Sequence, residues 1–442
     1  MRRAAEAGVR GGGVHAFFRR QGLHNLAALT VIQGSNALVP LAVVPFVLVM
    51  VGADAYAPVA IAEAVSVLVL AAVLYSFDLD GVARIVRLGP APERAALGAV
   101  LSDVLATRVT IFVVLAPLSL AIFHLVYGEG TVLLALWLLV PLGQVFHSYF
   151  LYQALERNIP AAAITLLSRV VTLVIVFGFV RGPQNAYLLP LAVGLPFVVG
   201  GLVSLAYILA VLKVPLGAPS LARVSEALWK GKEIFAGNLS VALYRDSNVV
   251  ILAAIGVPAM AVSAYSLAEK LVKVAQAVSR PLSQLYLPKV LRALAHAQAP
   301  DRVAAKQVAR FTVPQLAANA GVIIFLAAAL LIAAPFTDRV EAIRDVSSGA
   351  SLAAIMAPAM LFGVANYMFG TAGLNALHQQ RYFFKVIVAT GLISVALCTA
   401  LASLLGAPGA AIAFVSAEAI LCALILLRYR HATLARGRAA HE

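Results

Sequence analysis

Long apolar stretches, each close to or above the 20 or so residues that a membrane-spanning helix needs, follow one another along the chain. They fall near 24–51, 56–77, 107–127, 131–154, 159–181 and 186–212, and again near 233–256, 258–286, 311–335, 349–376, 382–405 and 409–428. The pattern predicts an all-α integral membrane protein with about twelve transmembrane helices. Between the two sets lies KVPLGAPSLARVSEALWKGK (213–232), which mixes Pro, Gly and basic residues with a short amphipathic run. It reads as a cytoplasmic linker between two six-helix bundles. The expected order is a basic N-terminus (1–22), a bundle (23–212), the linker, a second bundle (233–428) and a tail (429–442).

The two sets share landmarks. Ala-Glu in VAIAEAV (59–65) sits early in the second segment, and Ala-Glu in YSLAEKLV (265–272) early in the eighth; ALERN (154–158) and ALHQQR (376–381) close the fourth and the tenth. Six helices per repeat is an even number, so both repeats run in the same direction. Two pseudo-symmetric bundles about an axis along the membrane normal are therefore expected, with a central site at their interface.

Composition agrees with that class: 62% of residues are hydrophobic, 12% are charged, and the mean hydropathy is +0.96. The net charge of +14 would suggest a nucleic-acid surface in a soluble protein. Topology explains it better, because Lys and Arg are retained on the cytoplasmic side. Of the 33 Lys and Arg, 25 fall in the proposed cytoplasmic segments and only Arg181, Arg339 and Arg344 on the opposite side. Both termini are thus expected in the cytoplasm, with no nucleic-acid partner. The N-terminal stretch has no apolar core ahead of a cleavage site, so no cleavable signal peptide is read there.

Enzymatic motifs are weak or missing. Cys398 and Cys422 have no metal or redox spacing, the eight histidines form no HExxH, and no GxxxxGK[ST] phosphate loop occurs. Asp78-Leu-Asp80 matches a DxD pattern, with Arg84 and Arg87 as nearby ion partners. No enzyme activity, metal or cofactor is expected.

Charges within spans carry the functional signal, because each costs a few kcal/mol at the bilayer centre and must face protein or water. In the eighth segment Ser266, Glu269, Lys270, Lys273, Gln276, Arg280 and Gln284 fall within an arc of roughly 120° at about 100° per residue. A Glu269–Lys273 pair one turn apart would be the structural explanation, and it leaves Lys270 unexplained. Arg169 shares a face with Thr165, Ser168 and Thr172; Arg245 shares one with Asn238 and Asn248; Asn36 lies with Asn25 and Gln33. The expected cationic cavity wall is Arg169, Arg245, Lys270, Lys273 and Arg280, with Asn36, Asn248, Ser266, Gln276 and Gln284 as polar lining. The acids Glu63, Asp246 and Glu269 are candidates for ion coupling, Glu63 foremost because it has no basic neighbour in sequence.

Several stretches resemble a known family: PLAVVPFVLVMVGADAYAPVAIAEAV (40–65), YSFDLDGVARIVRLG (75–89), FLYQALERNIPAAAITLLSRVV (150–171), and above all the run from Tyr244 to Pro288. Their order is similar to that of the O-antigen and exopolysaccharide repeat-unit flippases (Wzx type) of the multidrug/oligosaccharidyl-lipid/polysaccharide exporter (MOP) superfamily. Asp78-Leu-Asp-Gly81 stands where that family carries an aromatic-glycine run. Twelve helices rather than fourteen argue against the related peptidoglycan-precursor flippases. The resemblance implies a MATE/MOP-like fold and a location in the bacterial inner (cytoplasmic) membrane. It implies that an undecaprenyl-pyrophosphate-linked oligosaccharide moves from the inner to the outer leaflet by alternating access. It also makes a proton or Na+ gradient a plausible driving force, and a polysaccharide polymerase and chain-length regulator plausible partners. A multidrug exporter of the same fold and a membrane-embedded glycan-assembly enzyme are the competing readings.

Overall fold

The computed structural model describes residues 8–89, 92–128, 130–218, 220–295, 302–337, 341–374, 377 and 379–439; the side chains of 8–26, 278–295, 302–307, 326, 327, 329–337, 341–346 and 432–439 lie outside the described set. The described residues are mostly helical, with no strand among them. In the N-terminal half the helices are α1 (Gly8–Val51), α2 (Ala53–Leu74), α3 (Phe77–Val86), α4 (Arg94–Tyr127), α5 (Thr131–Trp137), α6 (Leu139–Phe146), α7 (Tyr149–Ala154), α8 (Asn158–Phe179) and α9 (Leu188–Ala210). The C-terminal half holds α10 (Leu221–Asp246), α11 (Asn248–Ala254), α12 (Ala259–Ala295), α13 (Arg302–Thr337), α14 (Glu341–Met356), α15 (Pro358–Ala365), a π-helical stretch (Asn366–Leu374), α16 (Gln380–Leu405) and α17 (Ala407–Ala439).

The chain is a multi-pass membrane protein. Among the described residues nine helical stretches are long and apolar enough to cross a membrane, or ten if Ser347–Met356 and Pro358–Leu374, bent by 41°, form one span. Neither α10 nor α12 is in that number; both are long, and both carry charges within their length. Among the described residues the stretch between the halves lacks regular secondary structure only over 213–218 and at 220. From Leu221 onward its amphipathic run is already the start of α10, so the linker expected over 213–232 is helical for more than half its length. Val224, Ala227 and Gly231 are buried on that start of α10, and Arg223 pairs with Asp103 of α4 at 2.8 Å.

Apolar packing is shared at one end of the molecule and divided at the other. Leu48, Ala53 and Tyr56 belong to the same buried cluster as Val262, Tyr265 and Phe414, so both halves contribute to one core where α1 stops and where α2, α12 and α17 begin. At the opposite end Phe77, Leu101, Phe150 and Val214 form one cluster, and Tyr244, Met368, Leu421 and Tyr429 form another. The halves are thus joined through one core at the first end, while at the other the clusters are distinct and α10 links them. Ala227 belongs to the N-terminal cluster, the Phe235 ring stacks on Tyr75 at 4.5 Å, and Asn238 donates to the Tyr75 carbonyl at 2.8 Å.

The α16–α17 hairpin shows how tightly this packing is drawn. Gly406 turns the chain at φ +65, a conformation that L side chains rarely adopt. Three residues on, a Cβ at Gly409 would lie 2.0 Å from the carbonyl oxygen of Leu401. Gly409→Ala should therefore force the helices apart and destabilise the protein by roughly 1–3 kcal/mol, read as a lowered melting temperature of the purified protein; an unchanged value would contradict the close approach.

Candidate functional site

A cavity of about 380 Å³ lies on the boundary between the halves. Its walls are α1 (Gln33, Asn36), α2 (Glu63), the end of α10 (Asp246), α11 (Val249) and α12 (Ser266, Glu269, Lys270, Lys273). Side-chain direction along α12 explains the wall: residues 266, 269, 270 and 273 occupy one face over two turns.

Each lysine there is held by carboxylates. Lys270 Nζ donates to Glu63 Oε2 at 2.5 Å, to the Tyr56 hydroxyl at 3.0 Å and to Ser266 Oγ at 3.4 Å. Lys273 Nζ bridges Asp246 and Glu269. The expected pair one turn apart on α12 is therefore present, and Lys270 is accounted for by a partner from the other half. Leaving either lysine alone in a low dielectric would cost several kcal/mol, which is why charges placed here come with counter-charges.

Two expectations are corrected. Among the described lining residues three carboxylates face two lysines, so this cavity is not net positive. Glu63, which lacks a basic neighbour in sequence, has Lys270 as its partner in space, and that pair joins α2 to α12.

Other expected site residues are distributed around the cavity. Asn36 and Ser266 line it. Arg245 does not; its Nη2 donates to Gln276 Oε1 at 2.5 Å, and Gln276 in turn donates to the Ala359 carbonyl at 3.1 Å, at the joint between α14 and α15. Asn248 is fully buried and donates to the Tyr265 hydroxyl at 2.8 Å, outside the lining. Arg169 lines a second cavity of about 150 Å³ inside the N-terminal half, together with Glu63, Ser66 and Trp137. Its Nε and Nη2 both donate to Asn36 Oδ1, at 3.1 and 2.9 Å. Glu418 is paired with Asn366 at 2.7 Å, buried in the C-terminal half. The side chains of Arg280 and Gln284 lie outside the described residues.

Residues that sequence reasoning passed over complete this picture. Tyr56 stands seven residues before Glu63, two turns along one face of α2, and that spacing was the available signal. Arg108, counted with the cytoplasmic charges, is 1% exposed. It donates to the carbonyls of His147 (2.8 Å) and Gln144 (3.3 Å), where α6 ends, and reaches Asp78 at 3.4 Å. A guanidinium at a helix C-terminus satisfies carbonyls that have no helical partner. Asp80 pairs with Arg84 at 2.6 Å. Elsewhere, α2, α4, α10 and α11 enclose an apolar groove of about 530 Å³, lined by residues such as Leu68, Leu118, Ile122 and Leu239.

This architecture has close parallels among solved transporters. The fold superposes on the lipid II flippase MurJ in an inward closed conformation with a TM-score of 0.66, at 11% identity, over 95% of this chain and 90% of that one. It superposes on an inward-facing multidrug resistance MATE family transporter of the MOP superfamily with a TM-score of 0.62, at 15% identity, over 94% and 99%. The sequence profile of the family described as "Polysaccharide biosynthesis protein" matches residues 22–288, and the chain belongs to that family. A relative from Escherichia coli (strain K12), named "Putative O-antigen transporter", is 22% identical over 411 residues, covering 92% of this chain and 96% of its own length.

Proposed function

We propose that the protein is a flippase that carries an undecaprenyl-pyrophosphate-linked oligosaccharide from the inner to the outer leaflet of the bacterial cytoplasmic membrane, with both termini in the cytoplasm. Twelve spans in two six-helix bundles are the architecture it requires. Supporting that architecture, Glu63 stands ten residues after the start of α2 and Glu269 ten residues after the start of α12, and each holds a lysine in the same cavity. Broken helical rods over 131–154 and 341–374 likewise take the same ordinal place in each half.

The observation that carries the function is the charged cavity at the boundary of the halves. Its lysines are neutralised by carboxylates that an anionic headgroup can replace. A diphosphate offers charge-assisted hydrogen bonds to two ammonium groups one turn apart. Hydroxyl and amide groups of Ser266, Asn36 and Gln33 suit sugars. The apolar groove beside α2 suits a hydrocarbon chain that travels in the bilayer while the headgroup crosses. The core shared by the halves where α1 stops and α2 and α12 begin fits a carrier closed at that end, which the charge bias assigns to the periplasmic side. Coupling to a proton or Na+ gradient through Glu63, Asp246 or Glu269 belongs to the same reading, as do a polymerase and a chain-length regulator acting downstream.

Deleting the gene should cause lipid-linked repeat units to accumulate in the inner leaflet. A normal surface polysaccharide in the deletion strain would refute the assignment. A second reading has one observation in its favour: acids outnumber lysines in the cavity, which suits an exporter of organic cations. For such an exporter the deletion changes drug sensitivity and leaves the glycan intact.

A further inference from the structure

The exchangeable member of the cavity network is Glu63. Its side chain lines the central cavity and also the smaller cavity within the N-terminal half, so it forms part of the wall between them. On the central side its partner is Lys270, the one ion-pair partner that joins α2 to α12 among the described residues. On the inner side the cation is Arg169. Among the described residues Arg169 has no carboxylate at salt-bridge distance: its hydrogen-bond acceptor is the neutral Asn36 amide, and the Phe197 ring lies 5.9 Å from its guanidinium carbon. A half-buried guanidinium held only by an amide and a ring can still accept an ion pair, and its fork has donors to spare.

We propose that Glu63 exchanges between Lys270 and Arg169, and that an anion binding Lys270 drives the exchange. The inference rests on the reading of the central cavity as the seat of an anionic headgroup. In the structure as it stands, Glu63 and Tyr56 of α2 hold Lys270 of α12, and Ser263 Oγ donates to the Ala53 carbonyl at 2.7 Å nearer the joined end. These contacts stitch the halves together along one α2–α12 seam. A phosphate that takes Lys270 leaves Glu63 without a cation. Turning toward Arg169 across the inner cavity restores a partner, now within the N-terminal half. The same step removes the ion pair from the seam. Arg169 is thus a positioning residue: it accepts the carboxylate that the ligand displaces, which lowers the cost of releasing Lys270. Ligand charge is read as a loosening of the joined end, while the empty carrier keeps its lysine neutralised. A differential interaction of the anion with the two arrangements is what such a shift requires.

The test uses the full chain in lipid nanodiscs, spin-labelled at Tyr187→Cys and Leu405→Cys. These are exposed positions on the two halves near the joined end, and the native Cys398 and Cys422 are buried. Inorganic pyrophosphate is the probe, with binding measured by calorimetry and the 187–405 distance by pulsed electron resonance. In the otherwise wild-type protein, pyrophosphate should bind and add a longer-distance population. With Glu63→Gln that population should be present before pyrophosphate is added. Arg169→Gln should weaken pyrophosphate binding by about tenfold, within the usual range of coupling between sites, and Arg169→Lys should restore most of it. Gel-filtration profiles establish that each variant is folded. Tight binding by Arg169→Gln, or a Glu63→Gln protein as closed as wild type, overturns the exchange while leaving the headgroup reading intact. Failure of the wild-type protein to bind pyrophosphate at all overturns both.

Discussion

Lys270→Met should abolish most polysaccharide export while leaving the protein inserted. A hydrogen bond to a charged group is worth about 1.5–3 kcal/mol, so losing the Lys270 contact to a phosphate should slow transport by roughly ten- to a hundredfold. The same substitution strips Glu63 of its cation, and some loss of abundance is expected from that alone. Glu63→Gln combined with Lys270→Met removes both charges and separates the two effects. Abundance should recover in the double variant and export should not. Surface glycan quantified against membrane-fraction protein checks both, and near-normal export by either variant would remove Lys270 from the transport path.

Arg108→Met should be the most destabilising single change in the N-terminal half. Its guanidinium is fully buried, reaches two carbonyls at the break after α6, and sits 5.7 and 5.8 Å from the Phe77 and Phe150 ring centroids. Methionine fills part of the volume and satisfies none of the acceptors. Each orphaned buried group costs roughly 1–3 kcal/mol, so a loss of about 3 kcal/mol and a clearly lowered melting temperature are expected. Asp78→Asn should be far milder, because the Asp78 side chain is 55% exposed and screened. Equal effects of the two substitutions would mean that the Asp78 pair, rather than the carbonyl contacts, carries the stabilisation.

The helical, multi-pass character of the fold was legible because a bilayer admits few solutions, and apolar length predicts spans. The paired Ala-Glu landmarks also picked out two acids, Glu63 and Glu269, that line one cavity. Charge balance was not legible in the same way. The helical arc of α12 shows that Lys270 and Lys273 face one direction, but it carries no information about what faces them. Their partners Glu63 and Asp246 stand 207 and 27 residues away in sequence. A one-helix projection therefore reads as cationic what the packed structure neutralises. Arg108 was missed for the converse reason. It lies near a loop rich in arginines, and only the break at His147, whose carbonyl it serves, shows that it is interior.

Transport itself is best measured with purified protein in liposomes carrying a fluorescent undecaprenyl-pyrophosphate-linked oligosaccharide, with glycan exposed on the outer leaflet removed enzymatically at successive times. A flippase makes the fraction susceptible to the enzyme rise well beyond the initial outer-leaflet share, with the glycan chemically unchanged, and the Lys270→Met protein should stay near that initial share. A wild-type trace no faster than protein-free liposomes, or a chemically altered glycan, would contradict the assignment of this chain as a carrier of lipid-linked oligosaccharide.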